Sequence, residues 1–199
     1  MKIICIGKNY TEHVKEMGWQ NNFSPALFLK PSSALCLSDK VPFPLFTKDL
    51  HHEIELVIKT NKILSNASLE DCSAAIEKIT VGIDFTARDL QSQLKKDGMP
   101  WEKAKAFDNS AVIGTLEDFN PTLVYNFSLN INGKEIQKGN STQMILNFAQ
   151  VLQEASKYFT INPEDYIFTG TPQNVSSVKP NDILQGYLNN KKLFEIKIV

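Results

Sequence analysis

Asp49-Leu-His-His-Glu-Ile-Glu-Leu-Val-Ile-Lys59 alternates apolar with polar residues before an apolar end. Such alternation marks a β-strand, in which residues i and i+2 project from one face. Glu53 and Glu55 therefore point the same way, about 7 Å apart along the chain at roughly 3.3 Å per residue. Neighbouring carboxylates repel, and burial worsens the repulsion. A solvated edge strand would leave both exposed. A cation between them would make burial favourable, and all-oxygen ligation suits Mg²⁺, Mn²⁺ or Ca²⁺.

A third carboxylate weighs toward the cation. Ile79-Thr-Val-Gly-Ile-Asp-Phe-Thr-Ala-Arg-Asp89 predicts a β-branched, half-buried strand over Ile79 to Phe85 with Asp84 inside it. A buried Asp is costly unless a cation or hydrogen bonds compensate it. Arg88 is one such partner; capping of the following helix is another use for Asp84, with Asp89 competing for that role.

Outward from these strands, Met1 to Gly7 reads as a first strand and Phe23 to Leu35 as a Pro-punctuated, partly extended stretch. Helices are expected over Leu69 to Lys78 (capped by Ser68), Arg88 to Asp97 (stopped by Gly98 and Pro100) and Gln143 to Tyr158 (with an apolar stripe and a Ser141 or Thr142 cap). Strands Leu123 to Ile131 and Lys134 to Gln137 flank the hairpin signal Asn132-Gly133. Tyr166 to Thr169, Ile183 to Leu188 and Leu193 to Val199 are further strands, with a turn at Asn189-Asn190. The pattern is a single β-rich, mixed α/β domain spanning 1–199, built as a mixed sheet or barrel-like roll.

Composition narrows the function. The 199 residues carry 21 basic and 22 acidic side chains, for a net charge of −1. That balance lacks the footprint of a nucleic-acid binder or a polybasic membrane anchor. No apolar run approaches the length of a membrane span, and the apolar start is too short for a signal peptide. Cys5, Cys36 and Cys72 have no C-x-x-C spacing. They fit free thiols in a reducing cytoplasm better than a disulfide or zinc framework.

Four further clusters can carry chemistry. In Gly7-Lys-Asn-Tyr-Thr-Glu-His-Val-Lys-Glu16, a helical turn from His13 brings Glu16 within reach at i+3. A carboxylate on imidazole raises its basicity, as a water-activating base requires; the alternative is a surface His beside a Glu. Lys105 either holds a substrate anion or lies solvated in a polar loop. Thr169-Gly-Thr-Pro172 either offers N–H groups and a hydroxyl to a carboxylate or is a structural turn. Gln91 stands one turn into the helix after Asp89.

Taken in order, Gly7-Lys-Asn-Tyr-x-x-His13-x-x-Glu16, Pro25-x-x-Phe-x-Lys-Pro31, Glu53-x-Glu55, Asp84-x-Thr-Ala-Arg-Asp-x-Gln91, Lys105, Asn132-Gly133 and Thr169-Gly-Thr-Pro172 resemble the fumarylacetoacetate hydrolase family over nearly the whole chain. Within it the chain is most similar to the small acylpyruvate hydrolase, or fumarylacetoacetate-hydrolase-domain, type. The end at Val199, without an added N-terminal domain, argues against the larger two-domain members. The resemblance implies a β-sandwich roll with flanking helices, usually as a homodimer. It places metal binding on Glu53, Glu55 and Asp84, a catalytic His13–Glu16 dyad, and substrate contacts on Lys105, Gln91 and Thr171. Lys8 stands where the family commonly has Arg, which keeps the charge at a substrate-anion position but loses the bidentate fork. Asn174 replaces a frequent Gly, and Asn tolerates a left-handed backbone.

The chemistry these groups allow is cleavage of the C–C bond of an acylpyruvate or related 2,4-dioxo acid. The small oxo acid would chelate Mg²⁺ or Mn²⁺ (or Ca²⁺ in a crystal) through its carboxylate and 2-oxo oxygen. His13 would activate water, and Lys105 would help hold the charge of the departing pyruvate enolate. The segment Met17 to Asn22 is a candidate cover for the site. Oxaloacetate decarboxylation and 2-hydroxyhepta-2,4-diene-1,7-dioate-type isomerisation are alternatives at the same site, and a silent metal or oxo-acid binder is a reading of another class.

Overall fold

The structure, a computed structural model, describes residues 1–12 and 25–199. Fifteen strands are numbered along the chain among these residues, and three sheets organise them. The largest joins β1 (Ile3–Gly7), β2 (Ala26–Lys30), β5 (Ile54–Thr60), β6 (Ile76–Asp84), β8 (Ala111–Ile113) and β12 (Tyr166–Phe168) in the order β2-β1-β12-β5-β6-β8. A short β9 (Glu117–Asp118) pairs with the start of β6. β1 and β12 run parallel, while the other neighbours are antiparallel. The second sheet holds β10 (Asn126–Ile131), β11 (Lys134–Asn140), β14 (Ile183–Leu188), β15 (Lys191–Ile198) and β3 (Lys40–Val41), ordered β11-β10-β14-β15-β3. A third, small sheet pairs β13 (Ser176–Ser177) and β7 (Thr86–Ala87) on either side of β4 (Leu50–His52).

The two larger sheets close on one apolar core. Ile4, Leu56, Ile58 and Val81 of the first meet Phe127, Leu129, Leu184 and Ile196 of the second. Period-2 alternation sends Ile3, Cys5, Val57 and Phe168 to the opposite face, where they form a smaller cluster. Helices α1 (Leu69–Ala75) and α4 (Phe148–Ser156) pack together against the main core. α2 (Arg88–Lys96) and a single turn, α3 (Glu102–Lys105), sit beside the end of β6. With four α-helices among the described residues, this is the β-rich sandwich roll with flanking helices that the sequence leads one to expect.

Local chemistry explains the joints. Asn132 and Gly133 have φ of 51° and 82°, the pair of positive values a type I′ hairpin needs. Asn189, Asn190 and Asn174 are also left-handed. Ser68 caps α1 by accepting from the Asp71 N–H at 3.1 Å. Two helix boundaries depart from expectation. α1 stops at Ala75 because Ile76 and Lys78 are claimed by pairing with Thr60 and Lys59. α4 begins at Phe148 because Asn147 and Gln150 form a capping box there; Met144 upstream is extended and bridges to Tyr10. The three cysteines are free and buried. Among the described residues, no helix is long and apolar enough to cross a membrane.

Candidate metal centre and active site

The strand expected over Asp49 to Lys59 is broken at Glu53. β4 ends at His52 and β5 begins at Ile54, so Glu53 occupies the joint between two sheets. Register then brings Asp84 to it: Ile54 pairs with Ile83, Glu55 with Gly82, and the Asp84 N–H donates to the Glu53 carbonyl at 2.9 Å. Gly82 permits this close packing, since a Cβ there would lie 2.6 Å from the Val112 carbonyl oxygen and 2.9 Å from the Phe168 ring. Glu53, Glu55 and Asp84 are all buried, and each offers an oxygen within 4.8 Å of the others'.

Three cations answer these carboxylates. Lys105, 4% exposed, places its ammonium 2.8 Å from Glu53 Oε2, 2.7 Å from Asp84 Oδ2 and 2.6 Å from Thr86 Oγ1. Arg88 pairs with Glu53 Oε1 and donates to Gln91 Oε1 at 2.7 Å. Lys30, fully buried, lies 2.7 Å from Asp84 Oδ1, at an angle that makes this an ion pair and not a hydrogen bond. Lys30 also donates to the Lys105 carbonyl, and at 3.0 Å to both the carbonyl and the hydroxyl of Ser110. One ammonium thus fixes both Asp84 and the end of the turn that carries Lys105.

The turn after β12 completes the floor. Gly170, at φ +99°, donates its N–H to Glu55 Oε2 at 2.7 Å; a Cβ there would lie 2.8 Å from Asn9 Cβ. The Gly-Thr turn therefore does offer an N–H to a carboxylate, but to the protein's own Glu55. The Thr171 hydroxyl donates to the Ile54 carbonyl at 2.9 Å and accepts from Gln137 Nε2 at 2.8 Å. It lines the cleft with its proton already committed to the backbone.

Electrostatics follow from this geometry. Burial, and then the charges of Asp84 and Glu53, raise the pKa of Glu55 well above the ordinary carboxylate value, against the Gly170 N–H. Burial opposes the charge on Lys105, but Asp84 and Glu53 outweigh it and the pKa rises. The ammonium therefore stays protonated and acts as a donor, not as a base. Three oxygens competing for neutralisation in one buried corner suit a hard divalent cation, since all-oxygen donors are what Mg²⁺ and Mn²⁺ accept. Lys8, Gln91, Lys95, Trp101 and Phe28 line the same cleft.

The structure brings Glu53, Glu55, Asp84, Lys105, Gln91, Thr171 and Lys8 to one cleft. His13, Glu16 and the segment Met17 to Asn22 lie outside the described residues. Three of the alternatives that the sequence leaves open are decided. Lys105 is not in a solvated polar loop but on a buried helical turn. Arg88 partners Glu53, while Asp84 takes Lys30 and Lys105. Asp89 accepts from the Thr47 hydroxyl at 2.5 Å and from the first-turn Leu90 N–H at 2.8 Å, while Ala87, at the N-cap position of α2, makes no side-chain cap. Lys30 went unassigned in the sequence, although the Pro25-x-x-Phe-x-Lys-Pro31 motif contains it. Its isolation in an otherwise apolar strand, Ala26–Lys30, was the available signal.

A buried carboxylate trio, set where β5 begins and β6 ends and backed by cations, sits in a β-rich roll. The chain belongs to the fumarylacetoacetate hydrolase family: residues 2–196 match Fumarylacetoacetate (FAA) hydrolase C-terminal. It is 38% identical, over 92% of its length and 86% of the relative's, to Oxaloacetate tautomerase YcgM of Escherichia coli (strain K12). A mitochondrial oxaloacetate decarboxylase of Dictyostelium discoideum is 33% identical over 92% of this chain and 87% of its own. The crystal structure of fumarylpyruvate hydrolase from Pseudomonas aeruginosa, in complex with Mn²⁺ and pyruvate, superposes with a TM-score of 0.92 at 31% identity, covering 100% of this chain and 89% of that one.

Proposed function

We propose that this protein is a divalent-metal-dependent oxaloacetate tautomerase whose metal is held by Glu53, Glu55 and Asp84. One observation carries the reading: the ammonium of Lys105 lies within hydrogen-bond reach of two of three carboxylates that converge in a buried corner. A bound Mg²⁺ or Mn²⁺ supplies Lewis-acid polarisation of a 2-oxo acid. Conversion of enol to keto acid removes the proton from the C2 oxygen and adds one at C3, so negative charge on that oxygen must be met between the two steps. Lys105, whose three N–H groups go to Glu53, Asp84 and Thr86, answers it as a positive charge beside the trio and not as a free donor. Arg88, held between Glu53 and Gln91, adds a second fixed positive charge beside the substrate. His13, oriented by Glu16, is assigned the proton transfer. The names of the 38% and 33% identical relatives support oxaloacetate as substrate. The reading takes residues 1–199 as one catalytic domain, working as a cytoplasmic homodimer.

A second reading, hydrolysis of acylpyruvates, draws support from the fumarylpyruvate hydrolase likeness. It needs water activation, which tautomerisation and decarboxylation do not. The test follows enol absorbance, CO₂ release and acetylpyruvate cleavage in parallel with each metal. Metal-dependent loss of the oxaloacetate enol, much faster than CO₂ release, is expected. Dominant acetylpyruvate cleavage, abolished by His13→Ala, would replace this reading with the hydrolase; metal binding without any turnover would leave a silent homologue.

A further inference from the structure

On α2, Arg88, Gln91 and Lys95 stand at i, i+3 and i+7, one above another on a single helix face. That face is turned to the cleft, since all three line it, while Leu94 next to them packs against Ala87 and Ala104. Arg88 is at the carboxylate trio. Lys95 lies roughly 10 Å farther along the axis at about 1.5 Å per residue, and helical side chains lean back toward the N-terminus, bringing its ammonium toward Gln91. The ammonium also sits 5.0 Å from the centre of the Trp101 ring, which limits where the long stem can point.

Charge gives this position a purpose. Among the described residues, five cations (Lys8, Lys30, Arg88, Lys95 and Lys105) gather around the three carboxylates. A divalent ion adds to the positive excess. Burial, followed by the charges of Arg88 and Lys105, lowers the pKa of Lys95 to about 8, a sign of how closely like charges are crowded here. An anion bearing two charges relieves this crowding better than one bearing a single charge.

We propose that Lys95, with Gln91, receives the second carboxylate of a dicarboxylic 2-oxo acid and so selects diacids over monocarboxylic oxo acids. The proposal deepens, and rests on, the oxo-acid reading of the site. It also bears on the choice between two fates of oxaloacetate. Loss of CO₂ breaks the bond from C3 to C4, leaves the electron pair on C3 and converts a charged carboxylate into a neutral molecule. An ammonium bound to that carboxylate stabilises the ground state and not the departing CO₂, so it slows decarboxylation. Lys95 thus favours tautomerisation and guards the diacid.

The experiment compares the wild type with Lys95→Met and Lys95→Arg in Mn²⁺. For Lys95→Met, KM for oxaloacetate is expected to rise on the order of 10- to 100-fold, as for loss of one charge-assisted hydrogen bond. The inhibition constant of pyruvate, which lacks the second carboxylate, stays within a factor of two or so of the wild type. The ratio of decarboxylation to tautomerisation rises, and Lys95→Arg restores most of the diacid preference. Equal weakening of both acids, or of neither, overturns the subsite. If the wild type turns over no oxo acid, the oxo-acid reading itself fails. Calorimetric binding of oxaloacetate and pyruvate in Mn²⁺ then decides the subsite: a diacid preference lost in Lys95→Met supports it, and its absence or persistence overturns it.

Discussion

Strand β6 carries a lysine–aspartate pair at each end, and the two could hardly differ more. At its start, Lys78 meets Asp118 at 2.5 Å with both side chains in water. Six residues on, Asp84 meets Lys105 at 2.7 Å with both side chains 5% exposed or less. The first pair is screened and interchangeable with water; such pairs contribute little to stability. The second has lost its hydration and survives only because Lys30, Arg88, Thr86 and Gly170 complete a network around the acidic trio. A protein that needed only stability would gain as much from apolar residues there. Charge kept in a buried corner at such cost marks a place built to hold a further charge.

The sharpest way to break this contrast is Asp84→Asn. It should abolish metal-dependent turnover, with metal affinity falling by at least about 100-fold, the upper range for altering outer-shell partners alone. Full activity with unchanged metal content would remove Asp84 from the centre. Next is Lys105→Met, which strands two buried carboxylates. Urea unfolding without metal should show a loss of about 3–5 kcal/mol, partly recovered in Mn²⁺ because the ion supplies the missing charge. No loss would mean the buried network is solvated after all.

An intermediate case lies where the parallel strands β1 and β12 of the large sheet begin. Asp165 accepts from the Lys2 N–H at 2.7 Å and the Asn162 N–H at 2.8 Å, and pairs with the Lys2 ammonium. Burial pulls its pKa up, but these contacts prevail and set it below the ordinary 3.8. Its stabilisation is therefore complete above about pH 4 and is lost as pH falls through the lowered folded value. The gap in thermal midpoint between wild type and Asp165→Asn should close below pH 4; a gap that widens there would reverse the sign. Smallest of all, Lys78→Met should leave the unfolding midpoint within error at physiological salt, and a clear drop would show that exposure does not govern these pairs.

The same contrast explains what the sequence could tell. The apolar run of β1, the alternation leading into β5, and the Asn-Gly and Asn-Asn turns are local signals, and the structure follows them. Glu53, Glu55 and Asp84 were legible because carboxylates stand out in apolar strands. Helix edges at 76–78 and 143–147 were not, since strand pairing and a capping box overrode a continuous apolar pattern. Nor was the burial of Lys105 legible: a lysine in Trp101-Glu-Lys-Ala-Lys-Ala-Phe-Asp108 looks solvated until β2 delivers Lys30 beneath it from 75 residues away. The alternative that pairs Asp84 with Arg88 fails for the same reason, because chain proximity to Asp84 says nothing about Glu53 reaching Arg88 from the joint between β4 and β5.

The central claim is that three remote acidic side chains make one divalent-ion site. Titration of Mn²⁺ into the purified protein, followed by the loss of its free-ion electron paramagnetic resonance signal, tests it most directly. One site per chain, lost in Glu55→Gln while that variant keeps the wild-type fold by circular dichroism, is the expected result. Mn²⁺ left free by the wild type, or bound equally well by Glu55→Gln, would contradict it.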